Sequence, residues 1–234
     1  MHSMIRRAGL MVAILGAMTR LAVAQEATET VVVTGSRAAD YGAPHIAMTK
    51  RADHVITTVT VTCDTRDLSQ RREELKATLR NMIGSAAGTK TISLGLGQGI
   101  IGDLSEGNFD QIIVPDNRAD TSKAYVVIKT RVSASDTLND ATGRIKAFIR
   151  ETPKVGRTEI LANDEWDLTI VGPEQYRDQL IGAIVADAKH TAELFGAGYT
   201  VAIDGLEHRV SWYQRGPLDL ALFIPYELKI TPAH

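Results

Sequence analysis

Gly97-Gln98-Gly99-Ile100-Ile101-Gly102 matches the G-x-G-x-x-G spacing by which a strand-to-helix turn brings backbone amides against a pyrophosphate. That chemistry needs an amphipathic helix directly afterwards, because the helix N-terminus holds the anion. Asp103 to Asn108, interrupted by Gly107, carries little helical pattern. A plain glycine turn is therefore expected, and no cofactor-binding residue and no cofactor are assigned. The histidines give no metal site. His45, His54 and His234 stand apart, and Asp187 with His190 shares one helix face at i, i+3 without a second histidine at ligand spacing. An exposed Asp187–His190 ion pair is expected there. His208 alternates with Leu206, Val210 and Trp212, which places it on a strand's apolar side as a core or edge residue. Asp164, Glu165 and Asp167 form an acidic cluster, but a calcium loop would need D-x-D-x-D-G spacing. Paired-carboxylate hydrolysis would need carboxylates facing each other across a cleft. No G-x-S-x-G elbow is present. Cys63, the single cysteine, falls on the apolar face of a strand with only Arg66 as a cationic neighbour, so a buried, inert thiol is expected. No catalytic residue and no metal ligand are assigned.

The elements around these residues read as alternating strands and helices. Val55, Thr57, Val59, Val61 and Cys63 have the period of a half-buried strand. Leu68, Leu75, Leu79, Met82 and Ile83 follow at helical spacing, with Arg71, Arg72, Glu73, Glu74 and Lys76 read as the solvated face. Asp67 with Gln70 is a capping pair and Gly84 a natural stop. Residues 84–123 are irregular, with short strands expected near Thr91 to Leu96 and Gln111 to Val114. The pattern then repeats. Ala124, Val126, Ile128, Thr130 and Val132 make a strand face; Leu138, Ala141, Ile145, Phe148 and Ile149 make a helix stripe. Asp67-Leu68 and Asp136-Thr137-Leu138 are similar junctions, a sign of an internal strand–helix repeat. Trp166, Leu168 and Ile170 predict another strand ending at Gly172. Pro173 then opens a long helix, 173–195, with its stripe at Tyr176, Leu180, Ile184, Ala188, Ala192 and Phe195. Three strands close the chain: Tyr199 to Asp204, Leu206 to Tyr213, and Leu218 to Ile230. Pro225 marks an edge or a bulge in the last. Short turns between successive strands indicate antiparallel pairing, so the fold class is α+β, with the long helix packed on the sheet.

The first 24 residues set the compartment. Arg6 and Arg7, the apolar run Ala8 to Met18, and Ala22-Val23-Ala24 have the three parts of a secretory signal peptide. The run is too short to anchor a bilayer, which takes roughly 20 apolar residues. Cleavage after Ala24 is expected, so the mature chain starts at Gln25. Losing Arg6, Arg7 and Arg20 moves the net charge from −2 to −5. That balance, with aromatics at only 5%, gives no support to nucleic-acid binding. No stretch after residue 24 reaches transmembrane length. Residues 25–53 read as an N-terminal strand (Thr30 to Thr34) and linker, and 54–231 as the α+β domain.

The order of elements is similar to that of the SIMPL domain, a family of bacterial envelope proteins with some eukaryotic relatives. Thr30-Val31-Val32-Val33-Thr34-Gly35-Ser36 resembles its opening strand, and Val126 to Val132 with the Asp136-Thr137-Leu138 helix resembles its middle unit. Asp187-Ala188 with Ala192-Glu193-Leu194-Phe195-Gly196 resembles its long helix, and Ile224-Pro225-Tyr226 fits its closing strand. The segments Ala38 to Asp53 and Thr89 to Thr121 depart from the family pattern. The resemblance implies a periplasmic or outer-membrane-associated protein, a homo-oligomer in some members, with a role in envelope integrity or stress and no agreed catalytic residues. Separately, Glu29 to Arg37 is similar to the plug start of TonB-dependent receptors. A receptor's barrel would need many more strands than this chain holds. The expectation is thus an exported, non-enzymatic, self-associating envelope protein. The alternatives are a periplasmic accessory or binding protein for an outer-membrane transporter, contacting an envelope partner through residues 29–37, and a periplasmic hydrolase using Asp164, Glu165 or Asp167.

Overall fold

The computed structural model describes residues 31–32, 46–97 and 100–233. The predicted leader, His45, His234 and most of residues 29–37 lie outside them. In chain order the elements are β1 (Val31–Val32), β2 (Met48–Arg51), β3 (His54–Cys63), α1 (Leu68–Gly88), β4 (Ile92–Leu96) and β5 (Ile100–Asp103). A 3-10 turn, Glu106–Asn108, runs into α2 (Phe109–Ile112). Next come β6 (Val114–Pro115), β7 (Ser122–Arg131), α3 (Leu138–Glu151), β8 (Thr158–Ala162) and β9 (Asp167–Thr169). A second 3-10 turn, Pro173–Tyr176, leads into α4 (Arg177–Phe195), then β10 (Tyr199–Asp204), β11 (Ser211–Gln214), β12 (Asp219–Phe223) and β13 (Glu227–Pro232). The fold is α+β, as the periodicities imply.

The main sheet runs β1-β5-β4-β7-β3-β8, with β6 against β7 and β9 against β3, and every pairing in it is antiparallel. Two strand–helix–strand units interleave in it, β3–α1–β4 and β7–α3–β8. Their order, β4-β7-β3-β8, is that of a split βαβ (ferredoxin-like) arrangement. The two long strands β3 and β7 pair along their whole length, from His54 opposite Arg131 to Cys63 opposite Ser122. Val55, Val59, Val61 and Cys63 on β3 and Ala124, Val126 and Ile128 on β7 are buried. They share one core cluster with Leu75, Leu79 and Met82 of α1 and Ala141, Ile145 and Phe148 of α3. The resemblance between the two junctions is real at the caps. Asp67 accepts from the Gln70 N–H at 2.7 Å, and Thr137 exchanges hydrogen bonds with Asp140 in a capping box.

A second, three-stranded sheet runs β11-β12-β2 and closes the core from the C-terminal side. Met48–Arg51, within the stretch read as linker, is its third strand, paired to β12. Leu180 and Ile184 of α4 join the same cluster as Trp212, Leu220 and Leu222. Among the described residues the third sheet holds β10 and β13.

Several elements differ from expectation, each for a local reason. α1 continues past Gly84 to Gly88; an exposed helical glycine costs only about 1 kcal/mol, and Thr89 supplies the stop by bonding back to Ser85 and Ala86. Leu68 is exposed rather than in the apolar stripe. Gln111 lies in a helical turn, because Phe109 and Ile113 reach the core at i, i+4 spacing, which leaves only Val114–Pro115 as strand. β8, which the pattern does not announce, is built on Thr158 and Ile160 alone facing inward. The Leu206 strand begins only at Ser211, because Gly205 (φ 90°) opens a turn closed by the His208 N–H on the Gly205 carbonyl. The terminal strand is two strands. Pro225 lacks the N–H to continue a ladder, so β12 stays with β11 and β2 while β13 crosses to β10.

Candidate functional site

A cleft of about 450 Å³ opens beside the ends of β3 and β8, lined by Thr62, Asp64, Arg118, Gly156, Arg157, Thr158 and Glu159. Two of its charges, Arg157 and Asp64, pair with each other. Arg157 grips Asp64 through two hydrogen bonds, 2.6 Å from Nε and 2.9 Å from Nη2. That grip holds the Asp64 carboxyl below the usual carboxylate range. Arg118 contacts Asp116 at 3.3 Å, and Asp116 also takes Lys123 at 2.8 Å. The Thr62 hydroxyl is buried and meets no protein partner among the described residues.

Under the cleft lies a buried polar layer centred on Glu74. Its carboxylate accepts from the Thr65 hydroxyl at 2.6 Å, the Cys63 thiol at 3.2 Å, the Gln70 amide at 2.9 Å and the Arg157 N–H at 3.1 Å. The Thr65 bond and the Arg157 N–H, chiefly, pull the Glu74 pKa from 4.5 to about 2. Gly156, at φ 60°, leaves room for it: a Cβ there would lie 2.0 Å from the Glu74 carboxyl carbon. Arg71, equally buried, donates to the Thr65, Arg66 and Asp120 carbonyls and to Ser122. The layer therefore ties the β3–α1 turn to the loops before β7 and β8. Cys63 here donates its S–H to a carboxylate. Cys63 is buried, as its place on the apolar face of the strand implies.

Arg71 and Glu74 correct the sequence reading, which put them on the solvated face of α1. Both are under 10% exposed, while Arg72 and Lys76 point outward to Asp110. The signal was available: 71, 74, 75, 78, 79 and 82 all bury on one helical stripe.

The other sequence candidates do not converge. Asp164, Glu165 and Asp167 are exposed around the β8–β9 loop, and none lines the cleft. Asp164 sits 3.6 Å from Lys146, and Glu165 uses its backbone oxygen to accept from Thr57 at 2.7 Å. His190 is exposed and forms no ion pair with Asp187; Asp187 instead lies near Tyr226, where it adds to the burial that raises the phenol's pKa. His208 is exposed in the turn, its Nδ1 3.0 Å from the Pro225 carbonyl, because the strand that would have buried it has not yet begun. His54 is buried on the sheet's second face, opposite Arg131 and Thr169. Gly97 has φ 109° between β4 and β5, so a strand rather than a helix follows the glycines. Among the described residues no three His, Cys, Asp or Glu side chains cluster to hold a metal ion.

The surface offers a different kind of site. α4 buries Leu180, Ile184 and Ala188, then leaves the core. At its far end Leu194 is 73% exposed, Phe195 50%, Tyr199 45% and Ile230 37%. The Phe195 and Tyr199 rings meet edge to face at 5.7 Å, so the end of α4 and the β10–β13 ribbon share this apolar surface. On the ribbon Tyr199, Val201 and Ile203 stand opposite Pro232, Ile230 and Leu228, which makes one face apolar and the other polar. Among the described residues neither strand has a second partner, so both ribbon edges are open. A lone two-stranded ribbon is marginal in water. Open edges and clustered exposed apolar side chains are what pairing surfaces are made of. Arg177 and Glu174 hold the near end of this arm: Arg177 donates to the Leu206 and His208 carbonyls, and Glu174 accepts from the Val210 N–H at 3.0 Å.

Compared with known proteins, the chain matches no family model and none of the curated proteins.

Proposed function

We propose that this chain is an exported envelope protein of the SIMPL type that acts by self-association rather than by catalysis. The observation that carries the reading is the arm formed by the end of α4 with β10 and β13. Leu194, Phe195, Tyr199 and Ile230 face outward there, beside strand edges that have no second partner among the described residues. The n/h/c pattern of residues 1–24 supports export to the periplasm, and no helix among the described residues is long and apolar enough to cross a membrane. The role in envelope integrity or stress is carried over from the family resemblance. Sedimentation velocity across a hundredfold concentration range tests it. Association is expected; a single monomer boundary at every concentration overturns it.

One observation favours the accessory reading as a second. β1, the heart of residues 29–37, is the terminal strand of the main sheet, paired to β5 on one side only among the described residues. A partner strand could add there. Deleting residues 29–37 should then abolish co-purification with an envelope protein, and unchanged co-purification removes this reading.

A further inference from the structure

The outer edge of β13 carries its own complement. Among the described residues β13 pairs only with β10, and its sequence is Glu227-Leu228-Lys229-Ile230-Thr231-Pro232, with the odd positions on the polar face, where Lys229 also pairs with Asp204 of β10. Suppose that a second copy adds its β13 antiparallel across this edge, related by a twofold axis. Residues directly opposite each other then share a face. The apolar faces coincide only when the register is centred on a residue, not between two. Centred on Glu227, the pairing sets Glu227 against Glu227 of the second copy. Centred on Lys229, it sets lysine against lysine. Centred on Leu228, it sets Glu227 against Lys229 twice, Leu228 against Leu228, and Tyr226 against Ile230. Like charges opposite one another destabilise a strand pair and opposite charges stabilise it, so charge selects this register. Tyr199-Thr200-Val201-Ala202-Ile203-Asp204, the β10 strand, has one charge, at its end, and nothing comparable to select a register.

Two further features fit. Pro225 and Pro232 bound the edge and lack the N–H to extend a ladder, which confines pairing to the short stretch between them. The apolar side of the resulting four-stranded sheet would join the exposed Ile230 and Tyr199 of both copies into one surface, with Phe195 against its end. We propose that β13 is the seam between two copies of this chain, paired antiparallel about Leu228 in a closed, isologous contact. This rests on the self-association reading above and names the surface that does it.

The test is a pair of cysteine variants in the full-length purified protein, oxidised and run on a non-reducing gel. Opposed residues of an antiparallel pair have Cα atoms about 4.5–5.5 Å apart, within disulfide reach. Leu228→Cys should cross-link to a covalent dimer. Thr231→Cys should not, because the two copies of residue 231 would stand about 20 Å apart at 3.4 Å per residue. A charge series provides a second readout should the Leu228 variant fold poorly. Lys229→Glu should weaken dimerisation at least tenfold in sedimentation equilibrium, and mixing that variant with Glu227→Lys should restore a dimer of the two, a rescue between copies that the Lys229–Asp204 pair within one ribbon does not supply. If the wild type associates but Leu228→Cys fails to cross-link and Lys229→Glu dimerises normally, the seam is elsewhere and self-association stands. A wild type that is monomeric throughout overturns both.

Discussion

Glu74 keeps its charge because four donors converge on one carboxylate, and that has a consequence for acid stability. Its pKa is near 2 in the folded chain against an ordinary 4.5. A carboxyl whose folded pKa is depressed stabilises the fold fully above the ordinary value and loses that contribution as pH falls toward the folded one. Urea unfolding midpoints should therefore drop as pH is lowered from about 4.5 toward about 2. Glu74→Gln should start from a lower midpoint at neutral pH and show a shallower decline over that window; an unchanged slope would remove Glu74 as the cause. Gly156 is the companion position. At φ 60° a side chain is strained, and a Cβ would overlap the Glu74 carboxyl group, which is pinned by its donors and cannot retreat. Gly156→Ala should cost more than about 1 kcal/mol, read as a lowered midpoint with the pH slope also reduced. A midpoint within error of the parent would mean that the carboxylate is not held there. Nothing local in the sequence says that the missing Cβ of Gly156 makes room for a side chain 82 positions earlier.

At the scale of elements, α4 is two helices in one. Its first half is core, with Ile184 fully buried, and its second half leaves the body with Leu194 and Phe195 exposed. The two halves should respond oppositely to substitution. Ile184→Ala should destabilise by about 2–5 kcal/mol. Leu194→Ser with Phe195→Ser should stay within about 1 kcal/mol of the parent, since neither side chain is buried, yet should weaken association in sedimentation. Equal stability losses from both would place the far half in the core after all. The periodic stripe Tyr176 to Phe195 was legible in the sequence as one continuous face. Where it stops being covered was not, because coverage depends on which strands return to it. The same limit applies to the terminal stretch. Leu218 to Ile230 alternates without a break, so the pattern reads as one strand, and only the change of partner at Pro225 divides it. Local signals fared better where the physics is local: the Asp67 and Thr137 caps sit where the side-chain chemistry puts them.

For the whole molecule, the interleaved order β4-β7-β3-β8 means that each strand–helix unit completes its sheet through the other. Strand periods identify β3 and β7, but no period states that residues 54 and 131 will stand opposite each other. Pairing is a property of the assembled chain, and so was the absence of convergent chemistry among Asp164, Glu165 and Asp167. The proposed export can be tested separately from the fold. Cleavage after Ala24 would leave β1, which starts at Val31, untouched, so the processed protein should keep every described strand. In a bacterial host the periplasmic product should begin at Gln25 by N-terminal sequencing. Ala24→Phe should block processing, because the site needs small residues, and hold the longer chain in the membrane fraction. Arg6 and Arg7 changed together to Glu should reduce export and leave precursor in the cytoplasm. If the parent chain accumulates in the cytoplasm with Met1 intact, the envelope half of the proposal fails. The β13 seam would still be testable in the purified protein, since pairing about Leu228 requires only the edge and its two charges.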